Sequence, residues 1–180
     1  MSIKTRAQFF QLFTHNSQYM RDLVDTIVPA KNSLGPGPGI TDAANVIIKS
    51  GVQRFGEIIK TTVMFDMTGL KSGTSDLDII GEAVTGDDAS LFQVKAAEHG
   101  TILMGTMTCL EVPASLTDFD LYSATVSTGE HEDLVTDLVE TALLTSGAAW
   151  TLALVRALST MPPADGYLYL VNGAADTADD

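Results

Sequence analysis

Residues 56–70 read GEIIKTTVMFDMTGL, and this stretch decides the class of the fold. Successive side chains of a β-strand point to opposite faces, so residues two apart share a face. The odd-numbered residues of the stretch from Ile59 to Met67 would share one face, and the even-numbered residues from Ile58 to Asp66 the other. β-branched residues are frequent, and Thr68-Gly69 is a turn signal. The stretch therefore predicts one long strand in a β-rich protein.

The sequence that follows repeats these signals over shorter runs. Residues 133–144 have leucine and valine at helical spacing and predict a helix. Short strands separated by Gly- and Asp-rich turns favour a β-sandwich or jelly-roll-like body, so the predicted fold class is mainly β. Gly105 predicts a bulge or a close approach of two segments. Strands are predicted at 77–84, 119–125, 149–158 and 167–171, with a hairpin of 91–97 and 101–112 around Glu98-His99-Gly100.

The first third of the chain has a different pattern. Apolar residues recur at three- and four-residue steps over 6–28, which predicts an amphipathic helical arm. The SLGPGPG run at 33–39 predicts an extended linker. We therefore divide the chain into an arm (1–32), a linker (33–50) and a β-rich body (51–180). The apolar face of the arm needs a cover, either its own body or a neighbouring subunit, and the linker favours a neighbour.

Charge is distributed unevenly along the 180 residues. The chain has 10 Lys and Arg against 23 Asp and Glu, a net charge of −13, which excludes a globally basic nucleic-acid binder. Residues 1–60 hold seven cations and four acids, whereas residues 61–180 hold three cations and nineteen acids. Chance plus a solvated acidic surface could produce this asymmetry. The alternative is that the arm and the body contact different partners.

Composition limits the class of protein further. Hydrophobic residues make up 45% of the chain and charged residues 18%, which excludes a wholly disordered chain. No apolar run reaches the roughly 18 residues of a membrane helix, and we expect no membrane partner. Cys109 is the one cysteine, so no intrachain disulfide can form. With no signal peptide expected at the N-terminus, assembly in the cytoplasm is the simplest interpretation.

The sequence contains no recognisable catalytic motif. There is no nucleophile elbow, phosphate-binding loop or zinc-protease motif, and we predict that the protein is not an enzyme and has no cofactor or metal site. The Asp76-x-Asp78 pair reads as a solvated turn rather than a calcium loop. His131 reads as part of a charged helix start. Cys109 is expected to be a packed thiol, and Trp150, Tyr167 and Tyr169 are expected in the core.

Four segments resemble the head decoration or cement proteins of tailed bacteriophages, including phages of cyanobacteria. The resemblance spans 51–173, about two thirds of the chain, and its motifs are structural. The matching segments are GVQRFGE at 51–57, the run at 100–111, DFDLY at 118–122 and MPPADGYLYL at 161–170.

The resemblance implies a virion structural protein that assembles in the host cytoplasm. Such proteins form trimers on the outer capsid surface between capsomers, so the implied partners are the major capsid protein and copies of the chain itself. No nucleic-acid or membrane partner is implied. The alternative is a head-fibre or tail-associated protein that binds host-surface glycans, which would need exposed aromatic residues. From charge and apolar character, the contact residues expected are Phe9, Phe10, Phe13, Arg6, Arg21 and Arg54.

Overall fold

The computed structural model describes residues 35–41, 46–83, 86–112 and 118–173, apart from the side chain of Arg54. The predicted arm therefore lies outside the described residues. The described part is mainly β and antiparallel, as predicted. Its elements are α1 (Pro38–Thr41), β1 (Ile47–Phe55), β2 (Ile58–Asp66), β3 (Phe92–Gln93), α2 (Ala96–His99), β4 (Thr106–Thr108), β5 (Phe119–Ala124), the 3-10 helix η1 (Val135–Leu138), β6 (Glu140–Leu144), β7 (Val155–Ala157) and β8 (Tyr167–Asn172).

The chain divides into two compact units, and the first contains the two-stranded sheet of β1 and β2. Gly56 and Glu57 form the turn between these strands. Along β2, exposed and half-buried residues alternate without a break from Ile58 to Asp66. The even-numbered side chains are the exposed ones, so both the strand and its assignment of faces are confirmed.

The second unit contains a four-stranded antiparallel sheet with strand order β3-β8-β5-β6. Six residue pairs join β5 to β8, and Tyr122 lies opposite Tyr169 near the middle. Every residue of β5 is buried, and so is every residue of β8 after Tyr167. Both strands were predicted from sequence and are confirmed. Because both of their faces are buried, this pair forms the centre of the core.

The second edge of β8 is shared by two segments. β3 pairs with the first residues of β8, while residues 77–80 follow its second half. The Ile80 amide donates to the Leu170 carbonyl at 2.9 Å, and the Asn172 amide donates to the Asp78 carbonyl at 2.9 Å. In the described part of the strand predicted at 77–84, the pairing is therefore limited to isolated bridges at 78, 79 and 81. Its hydrogen bonds nevertheless place Ile79 and Ile80 in the core.

The hairpin predicted from 91–97 and 101–112 is wrong. β3 pairs with β8, and β4 pairs with β7 in a separate two-stranded sheet. The expected turn residues instead form α2, which Gly100 closes by donating its amide hydrogen to the Ala96 carbonyl at 2.9 Å. The close approach predicted at Gly105 is confirmed, because a Cβ there would lie 2.4 Å from Leu158 Cδ1.

The helix predicted at 133–144 is also wrong. Only η1 is helical, and it ends at Val139, whose φ of 55° lies in the left-handed region that a helix cannot continue through. The chain then enters β6, which pairs with β5. Of the strand predicted at 149–158, only β7 forms. The expected helix start at His131 is a turn rather than an α-helix.

The predicted linker is not an extended segment throughout its described part. Residues 38–41 form α1, and β1 begins at Ile47. The Gly37 amide donates to the Ser90 carbonyl at 2.8 Å, and Ile40 is fully buried. A Cβ on Gly37 would overlap the Asp88 carbonyl, so glycine is what allows the two backbones to approach. The Gly-Pro segment therefore docks on the second unit instead of spanning free space.

We expect Ile40→Ala to lower the free energy of unfolding by about 2–5 kcal/mol, because it removes a fully buried side chain and leaves a cavity. Urea denaturation followed by circular dichroism measures this change. The matched control is Ile58→Ala, which truncates an exposed isoleucine and should change stability by no more than about 0.5 kcal/mol. Equal effects of the two substitutions would show that α1 is not part of the core.

Candidate functional site

The most prominent surface feature is an apolar region on the two-stranded sheet of β4 and β7. Six large hydrophobic side chains there have exposed fractions between 49% and 78%. Monomeric proteins seldom expose large contiguous apolar patches, and those that do often use them for contacts with other molecules. We call this surface the ribbon patch, and it consists of Leu103, Met104, Leu110, Val112, Leu152 and Val155.

The register of β4 and β7 explains why one face of this sheet is exposed. Thr106 lies opposite Ala157, and Thr108 lies opposite Val155. All four side chains are exposed, whereas those of Met107 and Arg156, between them, are half-buried. The face that carries Thr106, Thr108, Val155 and Ala157 is therefore exposed to solvent.

Arg156 attaches this sheet to the rest of the second unit. Its Nη1 donates to the Ser146 carbonyl at 2.8 Å, and its guanidinium carbon lies 5.2 Å from the centre of the Trp150 ring. Trp150 in turn stacks on Phe119 with ring centres 5.0 Å apart, and its Nε1 donates to the Phe119 carbonyl at 2.8 Å. Arg156 thus holds the sheet onto the core at the start of β5, and Ser159, just after β7, adds a second attachment by donating its amide hydrogen to the Leu143 carbonyl of β6 at 2.8 Å.

The aromatic side chains that could have stacked on a sugar are packed inside. Trp150, Tyr122 and Tyr169 are buried, and Tyr167 is half-buried. The Tyr169 hydroxyl donates to the Val126 carbonyl at 2.9 Å, and burial raises the pKa of Tyr169 to about 12. The prediction that these residues belong mainly to the core is confirmed.

Two buried carboxylates lie near each other beside Gly173. A Cβ on Gly173 would be 3.1 Å from Oδ1 of both Asp118 and Asp120. Oδ1 of Asp120 accepts a hydrogen bond from the Ser146 amide, whereas Oδ1 of Asp118 has no hydrogen-bond partner among the described residues. Desolvation raises the pKa of Asp120, and the negative charge of Asp118 adds to the rise. Asp120 is therefore a carboxylate whose ionisation is opposed by its place in the core.

The remaining polar groups do not converge on a reaction centre. In the described parts of the chain, no three His, Cys, Asp or Glu side chains are placed to hold a metal ion. A cavity of about 360 Å³ is lined by residues without ionisable side chains, including Val94, Ile102 and Met161. Asp78 is buried rather than solvated, and its Oδ2 accepts from the Ser75 amide at 2.8 Å.

Cys109 is a packed thiol, as predicted. It is buried, and its Sγ donates to the Glu111 carbonyl at 3.1 Å. Of the predicted contact residues, Arg54 lies on β1 with its side chain outside the described part, and the others lie outside it altogether. The contact prediction for Phe9, Phe10, Phe13, Arg6, Arg21 and Arg54 therefore stays a prediction.

The ribbon patch was not predicted from sequence. Its segment 101–112 was assigned to a hairpin, in which alternate side chains would have been buried. The available signal was the adjacent pair Leu103-Met104, because two neighbouring apolar residues cannot both lie on the inner face of one regular strand.

Comparison of the chain with protein-family models, curated proteins and solved structures finds no match. Within the described residues, none of the helices has the length and apolar character needed to cross a membrane.

We expect Asp120→Asn to make stability less dependent on pH. A raised pKa means that the folded state binds the Asp120 proton more tightly than the unfolded state, so ionisation weakens the fold as pH rises above about 4. Asp118 and Asp76 add to this effect and Arg156 opposes it. Asparagine keeps the oxygen that accepts from Ser146 and does not titrate.

We therefore compare the free energies of unfolding of the natural chain and of Asp120→Asn. The value for the natural chain minus the value for the variant should decrease as pH rises from about 4 to about 7. Urea denaturation at a series of pH values measures it. Asp137→Asn, which changes an exposed acid, is the control. Parallel stability curves for the natural chain and Asp120→Asn would contradict the expectation.

Proposed function

We propose that the chain is a virion structural protein, a decoration or cement protein that binds the outer surface of a phage head between capsomers. The major capsid protein and further copies of the chain, expected as a trimer, are its partners. The observation that supports this proposal best is the ribbon patch, a group of exposed apolar side chains on a β-rich unit with Glu111 as the one charged residue in 101–112. A protein whose work is adhesion needs such a surface and needs no catalytic group.

The physical basis of the function is mass action. A protein that binds the assembled shell but not its separated subunits stabilises the shell by the free energy of that binding. Burial of apolar area supplies about 25 cal/mol per Å², and a contact made in this way depends little on salt. The ribbon patch offers apolar area of this kind, because its six side chains have no described neighbours that cover them.

The acidic character of the protein fits an outward-facing surface. Nineteen of the 23 acids follow residue 60. Exposed like charges repel but are screened beyond roughly 8–10 Å at physiological ionic strength. Acids directed away from the shell would keep decorated particles soluble, while the uncharged patch and the predicted arm make the contacts.

The glycan-binding alternative receives less support. Stacking on a sugar requires accessible aromatic faces, and Trp150, Tyr122 and Tyr169 are occupied by packing within the core. Phe55 on β1 is the one aromatic side chain among the exposed large hydrophobic residues of the described chain. A head-fibre or tail-associated role would therefore need a different kind of contact.

Binding to purified undecorated phage heads tests the proposal. The full chain is compared with a variant that lacks residues 1–34, and circular dichroism establishes first that the variant folds. We expect the full chain to cosediment with heads and the shortened chain to bind at least about tenfold more weakly. If the shortened chain binds as tightly as the full chain, the arm is not an anchor. If the full chain fails to bind, the proposal is overturned.

Salt and charge reversal separate the two components of binding. We expect partial release of the full chain at about 0.5 M salt, because apolar contacts persist when charges are screened. Arg6→Glu combined with Arg21→Glu should weaken binding at low salt. Complete release by salt alone would contradict an apolar contribution, and binding unaffected by the double reversal would contradict a contribution from the arm's cations.

A further inference from the structure

We propose that β4 pairs edge to edge with β4 of a second copy of the chain, about a two-fold axis beside Met107. β4 has β7 on one side, and no described strand lies on its other side. An open strand edge exposes unpaired N–H and C=O groups, which form a template for another strand. β4 contains neither the lysine nor the proline that commonly protects such an edge.

The hydrogen bonds to β7 identify the backbone groups that face the open edge. The Cys109 amide donates to the Leu154 carbonyl at 3.0 Å, and the Leu158 amide donates to the Gly105 carbonyl at 2.9 Å. In an antiparallel pair, every second residue points its backbone groups at the partner strand. Those of Thr106 and Thr108 therefore point away from β7. Two copies paired there would gain about four backbone hydrogen bonds.

Three of the five position pairs around Met107 match in both directions, whereas Leu103 would meet Glu111 and Gly105 would meet Cys109 of the second copy. Threonine stands at 106 and 108, a large apolar residue at 104 and 110, and a β-branched residue at 102 and 112. When Met107 lies opposite its own copy, Thr106 faces Thr108 of the second copy, and Met104 faces Leu110 of the second copy. A two-fold contact requires this self-complementarity. It also brings together two exposed members of the ribbon patch from each chain.

Charge favours a second copy over a different partner. Glu111 is the one charged residue in 101–112, in a chain whose net charge is −13. Two such chains repel through most of their acids, and an uncharged edge is where they can approach. A basic partner would instead be attracted to the acidic residues elsewhere. The corresponding contact between two β7 strands would place Arg156 opposite Arg156, which is unfavourable.

This contact goes beyond the proposed function, since it requires only copies of the chain and no capsid. The β4–β4 contact alone forms a dimer. If copies of the chain also form trimers, the same contact joins two trimers. Assemblies in solution should therefore contain an even number of chains. Binding to phage heads is measured separately, so failure of this contact and failure of the proposed function can be distinguished.

Analytical ultracentrifugation of the full chain from about 1 to about 200 µM provides the first test. We expect reversible formation of even-numbered assemblies. Met104→Lys combined with Leu110→Lys should weaken association by at least about tenfold, because it places charges in the contact. Val126→Lys changes an exposed valine outside the ribbon patch and should have no effect.

Hydrogen exchange provides the second test and does not depend on any substitution. The amides of Thr106 and Thr108 should exchange more slowly as concentration rises, while those of Val155 and Ala157 on the opposite edge should not change. A monomer or only odd-numbered assemblies at about 200 µM would overturn the proposal. Association that is unaffected by the two lysine substitutions would also overturn it. Equal protection of the Thr106 and Thr108 amides at every concentration would overturn it as well, because a segment of the same chain would then cover the edge.

Discussion

The pairing of β5 with β8 is the interaction on which the rest of the second unit depends. Six residue pairs join the two strands, and their side chains are buried almost without exception. Because β5 and β8 are buried on both faces, other segments of the second unit must pack against both of those faces. Their outer edges must also find hydrogen-bond partners. β3 and residues 77–80 complete one edge of the pair, and β6 completes the other. The other described strands of this sheet are arranged around the β5–β8 pair.

Polar side chains within the buried strands determine where the loops lie. Nδ2 of Asn172 donates to the carbonyls of Gly73 and Ser75 at 3.1 Å each, and Asp120 accepts from the Ser146 amide. A buried polar group without a partner destabilises the fold, so each of these bonds holds a loop against the strand ends. The sheet of β4 and β7 is connected to this network mainly through Arg156. Its other face is consequently left without cover from the described residues.

The sequence allowed prediction of the elements whose signal is local. The alternation of β2 and the apolar and aromatic runs of β5 and β8 depend on residues that are neighbours in the chain. The partner of β4 could not be predicted, because β7 lies about fifty residues away and has only three residues of its own. The leucines and valines of 133–144 fitted a helix equally well, and only the backbone at Val139 and the pairing of β6 with β5 decide between the two structures.

The candidate site was harder to predict than the fold. Met104 and Leu170 are similar in character, yet one is exposed and the other is fully buried. Exposure of an apolar residue is decided by which segments cover it, and that information is distributed over the whole chain. The sequence did predict that Cys109 and the aromatic residues pack inside. That packing leaves the exposed apolar surface, rather than a pocket of reactive groups, as the feature that a function must use.

The number of copies in a purified phage particle tests the structural role most directly. Quantitative gel densitometry or mass spectrometry against the major capsid protein gives this number. A protein that occupies the joints between capsomers must follow the symmetry of the shell, which predicts on the order of hundreds of copies per head. A result of a few copies per particle, or none, would contradict the decoration role and point to a fibre, a tail or a function outside the virion.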